Sequence, residues 1–262
     1  GARYSVQVPE DWNGTLLDDT QAGLNAVNAM LRARGLQAIG LEYYRETFGF
    51  PVRDFYHAVG FRLEAEDWDA MADEFHRNFL ADTTIQLHAQ TVATLEHVNA
   101  TGIAQSVLSA SEQSILDKML SAYGLPHFFE HVYGVDNLYG HSKLEIGRAL
   151  LNAIGLPPEE VLMIGDSLHD HEVARHLNVA CLLIAQGHQS HSRLLTSAAP
   201  VLADLSGLPE WLDRQSAGAY PAKRIIPPPE NGRQTNSRGS LCEINAPRAP
   251  RWWKADPPAS TR

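Results

Sequence analysis

Two carboxylate-bearing segments, a serine and a lysine stand where chemistry is possible. Asp11 opens the run Asp11-Trp12-Asn13-Gly14-Thr15, which continues as Leu16-Leu17-Asp18-Asp19. A carboxylate at the end of a first strand, followed by a glycine turn, meets a ligand at a sheet edge. Gly14 there lets the backbone approach an anion closely. In Gly165-Asp166-Ser167-Leu168-His169-Asp170 the two carboxylates are four residues apart and share one side of a helical first turn. They repel unless a cation lies between them, and hard oxygen ligands at this spacing suit magnesium. The competing reading is a helix N-cap made by Asp166 or Ser167. Ser109 offers a hydroxyl to a phosphoryl oxygen, or else caps a following helix. Lys143, in Gly140-His141-Ser142-Lys143, opens a helix, where the dipole disfavours a cation, so the position calls for an anion or carboxylate nearby. A plain solvated lysine is the alternative.

These residues need elements to hold them. Residues 4–8 alternate weakly, as a short strand that Pro9 and Glu10 interrupt. From 16 to about 101 the pattern is helical, with apolar residues such as Leu24, Val27, Met30 and Leu31. Pro51 breaks it and starts a new helix at its first turn. Beyond it the expectation is strand at 104–108, helix at 112–123, helix at 143–154 stopped by Gly155, and strand at 161–164 ending at Gly165. Helix at 170–177 and strand at 179–184 follow. Strands alternating with helices after about 102 predict a doubly wound parallel sheet in an α/β domain. The helical block then reads as an insertion after the first strand, above the carboxyl ends of the strands, where such sheets bind ligands. It is a candidate lid. The expected division is a core of residues 1–18 and 96–214, a helical cap of 19–95, and a tail of 215–262. That tail, rich in proline and polar residues, reads as disordered or as a non-native extension.

The bulk properties limit the function classes. The formal net charge of −10 argues against general affinity for nucleic acid or anionic membrane, while a local site for a phosphorylated ligand is still open. Cys181 and Cys242 are the 2 cysteines, too few for a disulfide framework or a metal cluster, which fits a reducing cytoplasm. No apolar run has the length of a membrane span.

Taken in order, Asp11, Ser109, Lys143 and the Asp166/Asp170 pair resemble the four motifs of the haloacid dehalogenase superfamily. The resemblance covers about residues 11–212. Its specific parts are Gly14-Thr15-Leu16-Leu17-Asp18 and Gly165-Asp166-Ser167. The phosphoglycolate-phosphatase-like branch, with its small helical cap, is the nearest match. The resemblance implies a Rossmann-like core with a cap and a magnesium-dependent phosphatase working through an aspartyl-phosphate. The substrate would be a small phosphorylated metabolite such as phosphoglycolate or a sugar phosphate. Asp11 would be the nucleophile, and Asp11, Asp166 and the backbone carbonyl of Asn13 would hold the metal. Asp170 would support the metal's waters or pair with Lys143. Lys143, Ser109, Ala110, Thr15 and the amides around Gly14 would receive the phosphoryl group, and Arg53 from the cap would grip the rest of the substrate.

Two features depart from that pattern. Phosphatases of the family carry Asp two residues after the nucleophile, as general acid and base, and this chain has Asn13, which cannot exchange a proton in that way. A phosphonate-cleaving activity would need a cap lysine, and residues 16–101 contain none. A dehalogenase would leave the Asp166/Asp170 pair unexplained. A weakly active or non-catalytic regulator that binds a phosphorylated ligand is the main alternative. The second departure is Pro9-Glu10, where the family runs an apolar strand into the nucleophile. For the other residues the plainer roles are expected: Arg53 on a cap surface; Tyr43, Tyr44 and Phe48 in the cap core; His169 and His171 exposed beside Asp170; and 187–190 a plain loop, with a place on the site rim as the alternative.

Overall fold

A computed structural model describes residues 7–136 and 142–217. The chain begins with β1 (Gln7–Glu10) and β2 (Leu17–Asp18), then passes through α1 (Thr20–Ala33), α2 (Leu41–Thr47), α3 (Val52–Ala58) and α4 (Trp68–Leu80). β3 (Gln86–Leu87), α5 (Thr91–Ala100), β4 (Ala104–Glu112), α6 (Gln113–Ala122) and β5 (His131–Val135) follow. The rest is α7 (Lys143–Ile154), β6 (Leu162–Gly165), α8 (Leu168–Leu177), β7 (Ala180–Ile184), α9 (His191–Leu194), β8 (Val201–Leu202) and α10 (Leu208–Ala217).

Six strands pair in parallel in the order β5-β4-β1-β6-β7-β8. Strand periodicity sends alternate side chains to opposite faces, so each sheet face packs against helices. Val8, Trp12, Val107, Leu162 and Ile164 face one side, against Leu95 and Val98 of α5 and Leu208 and Leu212 of α10. Leu108 and Met163 face the other, against Ile146 and Leu150 of α7 and Val173 and Leu177 of α8. This is the expected α/β sandwich, a Rossmann-like doubly wound sheet. After β5 the chain crosses β1 to build β6 on the other side, so the winding direction reverses at β1, where open α/β sheets form a ligand crevice.

Several expectations need correction. Pro9 and Glu10 do not interrupt the first strand; they lie inside β1 at the centre of the sheet. Proline lacks an N–H, and on the β6 side the ladder thins to a bridge between Gln7 and Val161 and the pair Glu10–Ile164. The pairing with β4 runs through Pro9, opposite Ser106. Burial between two strands therefore overrides the local signal. β4 extends to Glu112 with an irregularity after Leu108, so Ser109 is a strand residue, and Glu112 caps α6 by accepting from the Ile115 amide. Pro51 stands one residue before α3, as its N-cap.

The insertion has its own core of Leu24, Val27, Met30, Leu31, Tyr44, Phe55, Tyr56, Phe61 and Met71. Tyr44 belongs to it as expected, but Tyr43 is exposed. The antiparallel pairing of Leu17 with Leu87 marks where the chain leaves and rejoins the sheet. A boundary at residue 95 cuts α5, whose Leu95 and Val98 are in the sheet's core. Residues 4–6 of the expected first strand, Gly140 and His141, Cys242 and residues 218–262 of the tail lie outside the described residues.

Candidate active site

The carboxyl ends of β1, β4 and β6 bring together the residues that the sequence scatters. Asp11 follows β1 directly, and its amide donates to the Ile164 carbonyl at 2.9 Å. The amides of Leu16 and Leu17 both donate to the Trp12 carbonyl, closing a tight turn over residues 12–17. Gly14 sits in this turn with φ +77°, a left-handed conformation that glycine takes without strain. Space demands glycine there as well: an added Cβ would collide with the Asp166 carboxylate. A Cβ on Gly187 would collide with the same carboxylate.

Lys143 is 5% exposed at the start of α7, and its Nζ lies 2.7 Å from both Asp11 Oδ1 and Asp170 Oδ1. The two carboxylates are the anions its position called for. Burial opposes the lysine's charge, but Asp11 and Asp170 outweigh it and raise its pKa above the ordinary value. Asp170 Oδ2 accepts from the Asp166 amide, the Ser167 amide and the Ser167 hydroxyl. The capping reading of this segment holds at Ser167, which caps α8 in a capping box whose acidic partner is Asp170. With its oxygens so engaged, Asp170 positions Lys143 and the turn after β6. Burial opposes its ionisation, yet Lys143 and Ser167 hold its pKa below the usual carboxylate range.

Asp11, Asp166 and Asp170 offer ligand oxygens within 4.8 Å of one another, all buried. Burial raises Asp11 well above its usual range against the pull of Lys143, and Asp170 and Asp166 add to the rise. Burial also pushes Asp166 up to about 6. Crowded buried carboxylates of this kind suit a hard divalent cation, which neutralises them and prefers oxygen.

Ser109 is fully buried and accepts from the Ser111 amide at 3.0 Å. Ala110 is half-buried beside it. Thr15 donates to Asp166 Oδ1 at 3.3 Å. Arg53 is exposed and stacks over the Trp68 ring at 4.7 Å, a contact within the insertion, as a surface role requires. His169 and His171 are half-buried where exposure was expected, and the His169 ring lies tilted against Phe50, with ring centroids 4.8 Å apart.

Three participants were not legible in advance. The His188 amide donates to Asp166 Oδ2 at 2.7 Å. Its ring lies 2.9 Å from Asp19 on one side and 2.9 Å from the Tyr44 hydroxyl on the other. Burial opposes protonation, but Asp19 and then Asp166 and Asp11 outweigh it, lifting His188 to about 9. Gly187 and His188 therefore touch the carboxylate cluster, where a plain loop was expected. Asp19, 1% exposed, also accepts from Asn13 Nδ2 at 2.7 Å, and Ser111 donates to Asn13 Oδ1 at 2.6 Å. The Asp18-Asp19 doublet and His188 were visible as residue types, but Ser111 carries no local signal.

The profile of the Haloacid dehalogenase-like hydrolase family matches residues 11–184, which span all these motifs. The chain belongs to that family. Curated relatives of this haloacid dehalogenase-like hydrolase include phosphoglycolate phosphatase 1 of Pseudomonas aeruginosa, 25% identical over 201 residues, or 73% of each chain. The phosphoglycolate phosphatase of Pseudomonas savastanoi pv. phaseolicola is 27% identical over 217 residues, 78% of each. Among solved structures, a haloacid dehalogenase-like hydrolase of Streptococcus pneumoniae superposes with TM-score 0.66 at 19% identity, covering 79% of this chain and 98% of that one. That likeness supports the fold.

Proposed function

We propose that this hydrolase is a magnesium-dependent phosphatase acting on a small phosphorylated metabolite through an aspartyl-phosphate on Asp11. The observation that carries the reading is the buried Lys143, clamped between Asp11 and Asp170 beside Asp166. Asp11, Asp166 and the Asn13 backbone carbonyl would hold the metal. Magnesium supplies charge neutralisation between a carboxylate nucleophile and a phosphate dianion. The protein's own residues do the positioning. Lys143 holds the Asp11 carboxylate in place and offers its remaining charge to a phosphoryl oxygen. Ser109 and those amides of the 12–17 turn that are not engaged within it would supply further donors, which is how phosphoryl transfer is stabilised with little covalent chemistry from the protein.

The relatives named for phosphoglycolate make that compound the first substrate to try, with sugar phosphates next. Catalysis in the cytoplasm fits the cysteine usage. Among the described residues no helix is long and apolar enough to cross a membrane. The test is hydrolysis of p-nitrophenyl phosphate with and without magnesium, beside Asp11→Asn. Magnesium-dependent release lost in the variant is the expected result. A folded protein that releases nothing favours a ligand-binding regulator instead.

A further inference from the structure

Asp19 occupies the N-cap position of α1, yet its side chain makes no capping bond. Aspartate at that position ordinarily accepts from the helix's first amides. Here both carboxylate oxygens are directed elsewhere, Oδ2 to Asn13 Nδ2 at 2.7 Å and Oδ1 to His188 Nε2 at 2.9 Å. The other end of the Asn13 amide is held by the Ser111 hydroxyl at 2.6 Å. Ser109 donates to the same oxygen at 3.5 Å, so the orientation of the amide is set by two hydroxyl donors and one acceptor, and the acceptor is a buried carboxylate. An aspartate at position 13 would place two carboxylates at hydrogen-bond distance in a buried site, where like charges repel strongly.

The geometry points to Asn13 and Asp19 as a matched pair: Asp19 is a positioning residue that keeps position 13 an amide and so selects phosphoryl donors with weakly basic leaving groups. The inference rests on the phosphatase reading. In the first step an Asp11 carboxylate oxygen bonds to phosphorus while the bond from phosphorus to the leaving oxygen breaks, and the electron pair departs with that oxygen. The Asn13 amide has no proton to give it, so the proton comes from solvent water afterwards. Leaving groups stable as anions, in acyl, enol or aryl phosphates, depart readily on these terms. Alkyl esters, phosphoglycolate and sugar phosphates among them, are still turned over on these terms, but more slowly. General acid help is worth about 10²–10⁴-fold, and that is the scale of the discrimination expected. The Asp19 charge is not available in its place, because the carboxylate is enclosed between Asn13 and His188.

The experiment compares wild type, Asn13→Asp, Asp19→Asn and the reversed pair Asn13→Asp/Asp19→Asn in the full chain with magnesium. Substrates are aryl phosphates of graded leaving-group acidity and one alkyl phosphate. Wild type is expected to show kcat/KM falling steeply with leaving-group basicity. Asn13→Asp alone should give no gain on the alkyl phosphate, while the reversed pair should exceed it by about 10²-fold and flatten the dependence. A shallow wild-type dependence, or a full gain from Asn13→Asp alone, overturns the inference. Melting of the metal-free proteins in one buffer at about neutral pH supplies a second readout. Asn13→Asp should lower the melting temperature, and adding Asp19→Asn should recover part of the loss, also where the single variant fails to fold. Additive losses overturn the pairing. If no variant hydrolyses any phosphate, the phosphatase reading and the leaving-group preference fail together, and the melting cycle still decides the pair.

Discussion

Lys143 carries its charge into a site that water scarcely reaches, and its two carboxylate partners make that burial tolerable. Removing one member of such a cluster leaves the others uncompensated, typically at a cost of 3–5 kcal/mol. Lys143→Met is expected to lower kcat on p-nitrophenyl phosphate by at least about 10²-fold, the scale of losing one preorganised charge stabiliser. Equilibrium urea unfolding of the same variant should show the stability loss; an unchanged midpoint would argue that Asp11 and Asp170 hold each other through a shared proton. Gly187 offers a gentler probe, because the Asp166 carboxylate packs against its missing side chain. Gly187→Ala should displace Asp166 and weaken magnesium binding by about 10–100-fold in calorimetric titration, the scale seen when a ligand's support is removed. Full affinity in that variant would place the cation elsewhere.

β1 shows what an element can tolerate when its neighbours hold it. Glu10 pairs with Val107 on one side and Ile164 on the other, and both flank it within the apolar layer. Among the described residues neither of its carboxylate oxygens has a hydrogen-bond partner. Burial pushes this carboxyl from 4.5 up to about 8. The sign of the effect on stability follows. Below the unfolded value the group is neutral in both states and contributes nothing. Between 4.5 and 8 the unfolded chain releases a proton that the folded chain keeps, so stability falls as pH rises and levels off above 8. Glu10→Gln should remove this slope and gain roughly 3 kcal/mol at pH 7, an upper figure on the linkage scale of 1.36 kcal/mol per unit. Denaturant midpoints measured from pH 5 to 8.5, a range of about neutral conditions, check it; parallel curves for both proteins would show that Glu10 finds a partner.

The insertion meets the sheet along a seam that borders the carboxylate cluster. Arg45, at the end of α2, donates to the carbonyls of Gly187 and Gln186. Gln189 donates to the Phe48 carbonyl at 3.1 Å, and Arg193 reaches the carbonyls of Arg45 and Phe48. Tyr44 reaches His188, whose amide holds Asp166. Movement of α2 relative to the sheet must therefore disturb the residues around the carboxylates. Arg45→Ala is expected to raise amide hydrogen exchange in residues 41–48 and 187–190 by about tenfold, the effect of losing roughly 1.4 kcal/mol of local stability. Exchange in α7 and α8 should be unchanged. Equal exchange in α2 of both proteins would mean that Arg193 and Gln189 suffice to hold the seam.

The sequence by itself determined which chemistry was possible. Asp11 before a glycine turn, the Asp166/Asp170 spacing and a lysine opening α7 are local patterns, and local patterns survive without knowledge of the fold. The alternation of strands and helices after 102 likewise made the doubly wound sheet legible, because hydrophobic periodicity is a property of short windows. Gly155 ended α7 as read, with φ +69°. Only the tertiary structure decided what depends on distant partners. That Pro9 and Glu10 belong to the central strand follows from β4 and β6 closing on either side of them. That Asn13 is bound to Asp19 and Ser111, and Asp166 to His188, follows from a turn and two loops meeting at the sheet's edge. Those contacts join residues 6, 98 and 22 positions apart. The first lies across a tight turn and the others across the sheet, so neither periodicity nor spacing records them, and burial alone makes them matter.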